Sequence, residues 1–173
     1  MQKIKDIIKE RVLVLDGPMG TMVQGYGLKE TDFRGSQFND HPMDLVGNND
    51  ILSITRPDII SEIHKSYLQA GADLIETNTF NANSISQADY QMEHMVYDLN
   101  LQSAKIAKDI SDRFTKSNPN KPRFVCGAIG PTNQTASMSP DVSDPGHRNV
   151  DFDQLVDAYK EQAQGLFDGG VDI

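Results

Sequence analysis

The feature that most constrains the fold of this chain is a regular alternation of short apolar stretches with longer helical patterns. The apolar stretches predict buried strands at Val12–Gly17, Ala72–Phe80 and Arg123–Gly130, and a fourth begins at Gly170–Ile173. Strands that alternate with helices usually pair in parallel and are joined by right-handed crossovers. The sequence therefore predicts an α/β fold.

Three long helices are predicted between these strands. In the first, Ile59 and Ile63 repeat at helical spacing, and Gly71 is placed to end the helix. Thr55 and Asp58 have the spacing of a capping box at its start.

The other two long helices are predicted near Met95–Phe114 and Phe152–Phe167, with Asp151 as a cap of the last one. A short N-terminal helix carrying Ile4, Ile7 and Ile8 is expected to pack under the first strand. The apolar stripe of the last helix is expected to consist of Phe152, Leu155, Val156, Tyr159, Ala163 and Leu166.

The connections between these elements are unequal in length. Helix-to-strand connections are short, whereas about 35 residues follow the first strand and about 20 follow the third, far more than the 2–6 that are usual. Long strand-to-helix loops are where both a (β/α)8 barrel and an open doubly wound sheet bind their ligands. The asymmetry predicts a site at the carboxyl ends of the strands and leaves both folds open.

A complete (β/α)8 barrel takes about 250 residues, and this chain has 173. Three βα units and the start of a fourth strand are visible. We therefore expect residues 1–173 to form the N-terminal portion of a barrel domain, a partial (β/α)8 TIM barrel with an N-terminal helix and unpaired sheet edges.

Composition excludes several classes of function. With 16 Lys+Arg against 25 Asp+Glu, the net charge is −9, whereas a protein that binds nucleic-acid backbones needs a basic surface. No apolar run reaches the ~18 residues of a membrane-spanning helix. One cysteine, Cys126, permits no internal disulfide, which predicts a cytoplasmic protein.

Three motifs at the strand ends could carry chemistry. Asp16–Thr21 has two glycines, whose turn exposes backbone N–H groups that suit a carboxylate or phosphate, while Asp16 suits an ammonium group. Glu76–Phe80 places four polar residues where a buried strand meets its loop, and Gly127–Asn133 permits close approach of a ligand. A strand-ending turn, a satisfied polar layer and tight strand packing are the structural alternatives, and the pattern alone leaves both readings open.

Metal-ligand spacing is absent from the sequence. His41, His64, His94 and His147 are scattered. His64 is expected on the surface or as a satisfied core side chain, and Cys126 as a small buried hydrophobic residue.

Together these motifs make the chain resemble the homocysteine-binding barrel of the cobalamin-dependent methionine synthases, over nearly its whole length. The Phe-Arg-Gly and Gly-Asn-Asn-Asp pieces of the first long loop favour this branch of the homocysteine methyltransferases. The motifs that carry the resemblance are Arg11–Thr21, Phe33-Arg34-Gly35, Gly47-Asn48-Asn49-Asp50, Ala70–Phe80, Ala88–Glu93, Gly130–Asn133, Ser139-Pro140 and Arg148-Asn149.

The resemblance implies a methyltransferase that moves a methyl group from methylcobalamin, recharged by 5-methyltetrahydrofolate, to a zinc-bound homocysteine thiolate. The zinc-binding cysteines of such enzymes are expected beyond Ile173, so neither zinc nor cobalamin is expected to bind this part, and it is expected to be inactive alone. Cobalamin and 5-methyltetrahydrofolate would bind through further domains.

By the same resemblance, this part is expected to supply half of the homocysteine site. The substrate-binding residues predicted from the matching motifs are Asp16, Gly17, Met19, Gly20, Thr21, Thr77, Asn78, Thr79, Gly130 and Pro131.

Two other hypotheses remain at this stage. One is a (β/α)8 aldolase or lyase that uses Asp16 and Glu76 as acid/base groups, although no strand-end lysine or metal cluster supports it. The other is a non-catalytic interaction fragment that docks through the loop at Phe33–Asp50.

Overall fold

Helices are the main regular elements of the structure, a computed structural model that describes residues 4–173. In chain order the elements are α1 (Ile4–Ile7), α2 (Met19–Gln24), α3 (Glu30–Arg34), α4 (Leu52–Thr55), α5 (Pro57–Ala70), β1 (Leu74–Glu76), α6 (Ser84–Gln87), α7 (Val96–Ser117), β2 (Phe124–Cys126) and α8 (Phe152–Asp168). Short 3₁₀ turns occupy Asn49–Ile51, Ala88–Tyr90 and Glu93–Met95. The expected alternation of long helices with strands is confirmed, while the short helices inside the loops were not predicted.

The two strands form a parallel sheet in the described part of the chain. Leu74 lies opposite Phe124, and Glu76 lies opposite Cys126. Leu15 adds an isolated parallel bridge to Leu74. Because these segments run in one direction, their carboxyl ends meet at one edge.

All four predicted strands are shorter or less regular than expected. In the first, the N–H groups of Asp73 and Leu74 both donate to the carbonyl oxygen of Val14, at 2.8 and 3.1 Å, which interrupts the ladder. In the last, Asp172 and Ile173 both donate to Val125, at 2.8 and 3.2 Å. The segments still lie side by side in sequence order, but β1 and β2 alone are regular strands among the described residues.

The start of α5 also differs from the prediction. Pro57 occupies the first turn as expected, where its missing N–H costs little. The N-cap is Arg56, however, without a side-chain cap, because Thr55 belongs to α4 and its hydroxyl donates to the carbonyl of Ile51 at 3.4 Å. The predicted capping box of Thr55 and Asp58 is therefore wrong.

Apolar side chains pack on both faces of the sheet. Ile75 and Val125 face Leu68 of α5 and Ala107 of α7. On the other face, Ile7 of α1 packs in a cluster with Leu74 and Phe124, and Ile4 of the same helix and Leu13 of the first strand segment pack against that cluster. The N-terminal helix thus lies under the strands as expected, but Ile8 is 59% exposed. This packing fixes the strands from both sides and leaves their carboxyl ends free for a site.

The buried face of α8 is not its most apolar face. Asp151 caps the helix as predicted and forms a capping box with Gln154. The buried residues, however, are Ala158, Gln162, Gly165 and Leu166. Phe152 is 74% exposed and Val156 44% exposed, so the predicted stripe is largely at the surface.

Glycine decides which face of α8 packs. A Cβ atom at Gly165 would lie 2.7 Å from the carbonyl oxygen of Tyr97, and one at Gly169 would lie 2.4 Å from the Cβ of Ala104. The small face lets the backbones of α7 and α8 approach closely, which larger apolar residues could not permit.

In the described residues no helix is long and apolar enough to cross a membrane.

Replacement of Gly165 by valine should push α8 away from α7. The new side chain would collide with backbone and with the Cβ of Asn100 at 2.8 Å, so we expect a loss of about 1–3 kcal/mol in the free energy of unfolding. Urea denaturation measures this loss. Gly146→Ala is the control, because its Cβ would meet only the Asp144 side chain, at 3.3 Å; equal stability of the two variants would contradict the close-packing argument.

Candidate functional site

A cavity of about 490 Å³ opens at the carboxyl ends of the strands. It is enclosed by the turn after the first strand, the end of β1 and part of the first long loop. Its lining residues are Asp16, Gly17, Pro18, Met19, Gly20, Asn49, Asp50, Glu76, Thr77, Asn78, Thr79, Phe80, Asn81 and Ala128. Seven of the ten predicted site residues are therefore brought together: Asp16, Gly17, Met19, Gly20, Thr77, Asn78 and Thr79.

Asp16 connects the first strand to β1 and presents one free oxygen. Its N–H donates to the carbonyl of Leu74 at 3.0 Å, and its Oδ2 accepts from the N–H of Glu76 at 3.1 Å. Its Oδ1 is buried without a hydrogen-bond partner among the described residues. Burial raises the pKa of Asp16 to about 7. The hydrogen bond from the Glu76 amide lowers this pKa, whereas the charge of Glu76 raises it. A cationic donor in the cavity would satisfy this oxygen.

The turn that follows Asp16 offers unpaired amides. Among the described residues, the N–H groups of Gly17, Met19, Gly20 and Thr21 donate to no protein acceptor, whereas Met22 already bonds to Pro18. Free amides at such a turn are satisfied by water or by a ligand. They are suited to a carboxylate, as the sequence suggests.

The polar side chains after β1 serve mainly to hold the cavity wall. The hydroxyls of Thr77 and Thr79 lie 2.6 Å apart. Thr77 accepts from the N–H of Ala128 at 2.9 Å, and Thr79 donates to its carbonyl at 2.8 Å. Gln162 of α8 donates to the carbonyl of Thr79 at 2.8 Å. This is the satisfied polar layer that the sequence left open as an alternative.

Asn78 connects β1 to the first long loop. Its side-chain amide donates to the carbonyl of Asn49 at 2.7 Å and to the hydroxyl of Ser53 at 3.2 Å, and its backbone N–H donates to Ser103 at 2.8 Å. Its donors are thus committed to protein acceptors. It lines the cavity as part of the wall.

Three predicted site residues lie outside this cavity: Thr21, Gly130 and Pro131. Thr21 is on α2, one residue past the lining turn. Gly130 packs against β1's exit so closely that a Cβ atom would lie 2.3 Å from the carbonyl oxygen of Phe80. The tight packing considered for this motif thus accounts for Gly130.

Sequence reasoning did not place Asn49, Asp50, Asn81 and Ala128 in the site, although Asp50 is its most deeply buried carboxyl. Asp50 is 3% exposed and accepts from the N–H of Asn81 at 3.2 Å. Burial raises the pKa of Asp50 to about 7. The available signal was the Gly-Asn-Asn-Asp motif, which carried the resemblance without being assigned a place.

The lining of the cavity contains carboxyl groups and no basic side chain. Asp16, Asp50 and Glu76 all contribute, and neither Lys nor Arg does. Such a lining favours a ligand with a positive group over an anion.

The described residues do not fit a metal centre. No group of three His, Cys, Asp or Glu side chains among them could hold a metal ion. Cys126 is only partly buried, and burial together with the charges of Glu76, Asp16 and Asp172 raises the pKa of its thiol to about 11. The thiol is therefore a poor nucleophile and a poor zinc ligand at neutral pH.

His64 is neither a surface residue nor a satisfied core residue, so that expectation is wrong. It is fully buried in α5, and neither ring nitrogen has a partner among the described residues. Burial lowers the pKa of His64 to about 4. The imidazole is thus neutral at physiological pH and lies outside the residues that line the cavity.

Comparison with known proteins identifies the family. The family model for homocysteine S-methyltransferases matches residues 13–173. The chain therefore belongs to the homocysteine S-methyltransferase family.

Solved structures share the fold at low sequence identity. The homocysteine methyltransferase MmuM from Escherichia coli matches in its metallated form with 19% identity and a TM-score of 0.71, over 98% of this chain and 55% of that one. Its oxidised form gives 18% and 0.72, over 100% and 55%, and its apo form gives 20% and 0.62, over 99% and 50%. The chain thus spans about half the length of these proteins.

The pH dependence of stability should change when Asp50 is replaced by asparagine. The pKa of Asp50 is raised from 3.8 to about 7, so the folded state retains a proton that the unfolded state releases between these values. The contribution of Asp50 to stability is therefore full below about pH 4 and lost as the pH rises to about 7. The difference in unfolding free energy between wild type and Asp50→Asn should fall by about 4 kcal/mol across that range.

Chemical denaturation at a series of pH values measures this difference. His64 titrates in the opposite sense, but its contribution cancels because both proteins contain it. Asp144→Asn, which alters an exposed carboxylate, is the control. A difference that stays constant with pH would show that Asp50 is not a buried titrating group.

Proposed function

We propose that this chain binds the amino-acid portion of homocysteine, as the first part of the barrel of a cobalamin-dependent methionine synthase. The observation that carries the proposal is the unpartnered Oδ1 of Asp16, which is buried beside a cavity without any basic lining residue. An α-ammonium group is the part of homocysteine that can donate to such an oxygen. Charge-assisted hydrogen bonds of this kind are stronger than neutral ones.

The carboxylate of the same ligand would be held by the turn after Asp16. Gly17, Met19 and Gly20 line the cavity next to Asp16, and their N–H groups have no acceptor among the described residues. An α-amino acid has its ammonium and carboxylate on adjacent atoms, so one short turn can bind both. Asp16 and these amides would orient the substrate and fix the direction of its side chain.

Thr77, Asn78 and Thr79 would support this ligand indirectly. Their hydrogen bonds tie β1 to Ala128 and to Asn49. They would keep this wall of the cavity in place. A rigid wall lowers the entropy that is lost when the ligand binds.

The thiol of homocysteine must be activated by groups other than the described residues. Zinc would convert the thiol into a nucleophilic thiolate, yet the single cysteine has a raised pKa and no three-ligand cluster is present in residues 4–173. Zinc, cobalamin and 5-methyltetrahydrofolate are proposed to bind other parts of a longer protein.

A continuing barrel is supported by the apolar surface at both sides of the sheet. Val12 is 84% exposed at the first strand, and Phe152 and Phe167 are 74% and 75% exposed on α8. Large apolar side chains are normally covered. A further βα unit beside α8 and a closing strand beside Val12 would cover them.

One observation favours the aldolase or lyase hypothesis, and another is against it. Asp16 and Glu76 do lie at the same cavity, and the raised pKa of Asp16 is compatible with proton transfer. No lysine lines the cavity to form a Schiff base. The family assignment therefore makes homocysteine the better-supported ligand.

Replacement of Asp16 by asparagine should weaken homocysteine binding. The variant keeps the shape of the side chain but loses its charge, so the dissociation constant should rise about 10–100-fold. The measurement is titration calorimetry under reducing conditions with the full-length protein. A desamino analogue, 4-mercaptobutyrate, should bind wild type and variant with similar affinity, because it lacks the group that Asp16 holds.

Asp141→Asn, which alters an exposed aspartate of the loop between β2 and α8, should bind homocysteine like wild type. Unchanged homocysteine affinity in Asp16→Asn would remove Asp16 from the site.

Metal analysis should find no stoichiometric zinc on this chain alone. The reason is the lack of a three-ligand cluster in the described residues and the protonated state of Cys126. Dialysis against zinc followed by elemental analysis makes the measurement, with Cys126→Ser as the matched variant. Zinc bound at one equivalent by the wild type, and lost in Cys126→Ser, would contradict this account.

A further inference from the structure

We propose that Arg34 is a positioning residue for the cavity. Together with Glu30 it fixes the loop that leads to Asn48–Asp50, and through that loop it determines how tightly homocysteine binds. The inference rests on the proposed function and assigns a role to the Phe-Arg-Gly motif, whose arginine lies outside the cavity lining.

The side chain of Arg34 donates hydrogen bonds to four carbonyl groups of a loop without regular secondary structure. Its Nη1 donates to the carbonyl oxygens of Phe38 at 3.2 Å, Asn39 at 3.3 Å and His41 at 2.6 Å. Its Nη2 donates to Met43 at 2.9 Å. The Arg34 side chain is 16% exposed, and its bonds to Phe38 and His41 are partly buried.

Glu30 holds the next part of the loop, and we call Arg34 and Glu30 together the clamp. It lies one turn before Arg34 on α3, and the two side chains form an ion pair at 2.6 Å. Its carboxylate accepts from the N–H of Leu45 at 2.8 Å and from the N–H of Val46 at 2.7 Å. One turn of helix thus holds the backbone from residue 38 to residue 46.

The clamped segment leads directly into the cavity wall. Leu45 is fully buried, and its carbonyl accepts from the N–H of Asn48 at 3.0 Å. Gly47 makes the turn with a φ of +97°, a conformation that other residues rarely adopt. Asn48 then exchanges two hydrogen bonds with Gln87, at 2.8 and 3.2 Å.

At the end of this path, the wall meets the two strand ends. The carbonyl of Asn49 accepts from Asn78 at 2.7 Å, and Asp50 accepts from the N–H of Asn81 at 3.2 Å. Asn49 and Asp50 both line the cavity to which Asp16 contributes. A shift of the clamped loop would therefore move the wall against which a ligand at Asp16 must fit.

An arginine is required because several acceptors converge from different directions. The guanidinium offers five N–H donors in a planar fork, whereas a lysine ammonium offers three donors on a flexible stem. Arg34→Lys keeps the positive charge beside Glu30 but cannot reach all of these carbonyls. Arg113 provides a matched control, because it also forms an i,i+4 ion pair, with Asp109 at 2.6 Å, on the exposed face of α7.

The experiment compares Arg34→Lys and Arg113→Lys in the full-length protein. Titration calorimetry with homocysteine gives the affinity. Amide hydrogen exchange measures local stability, at Asn81 for the cavity wall and at Val125 for the sheet. For Arg34→Lys we expect the dissociation constant to rise at least about threefold and the exchange of Asn81 to accelerate while that of Val125 is unchanged. Arg113→Lys should alter none of these.

Three outcomes would overturn the inference. A change in affinity below threefold would show that the clamp does not act on the ligand. Equal acceleration at Asn81 and Val125 would show a general loss of stability in place of a local role. Unaltered exchange at Asn81 in Arg34→Lys would show that Arg34 does not position the cavity wall. If wild type binds no homocysteine, it is the proposed function that fails, and the exchange result at Asn81 still tests the role of Arg34.

Discussion

The structure depends on the parallel alignment of the first strand segment with β1, which the carboxyl group of Asp16 completes. Its backbone N–H donates to Leu74 and its side chain accepts from Glu76, so one residue bridges the two segments twice. This alignment places the Asp-Gly turn beside the end of β1. Without it, the residues of the turn and the acidic residue Glu76 would not line the same cavity.

The same residue shows that the candidate site is built with little specialised structure. Asp16 uses one oxygen for the fold and leaves the other without a protein partner. The threonines after β1 satisfy one another and Ala128, so they supply rigidity without presenting free groups. A rigid wall that carries a few unpaired polar atoms is typical of preorganised sites.

The sequence predicted the alternation of elements well, because apolar periodicity and helix ends are local signals. The end of α5 at Gly71, with a φ of +113°, and the Asp151 cap of α8 are both as expected. The prediction failed for α8's buried face, where close backbone packing at Gly165 outweighs the hydrophobicity of Phe152 and Val156. It also missed Asp50, because the place of a loop carboxyl depends on contacts between residues distant in sequence.

The nearly neutral pKa of Asp16 has a consequence for calorimetry and for the proton balance of the site. Near neutral pH, part of the population therefore carries a proton on this carboxyl. A cationic ligand seated against it would expel that proton into the solvent. The observed heat of binding would then depend on the ionisation enthalpy of the buffer, and the number of protons released could be read from the slope.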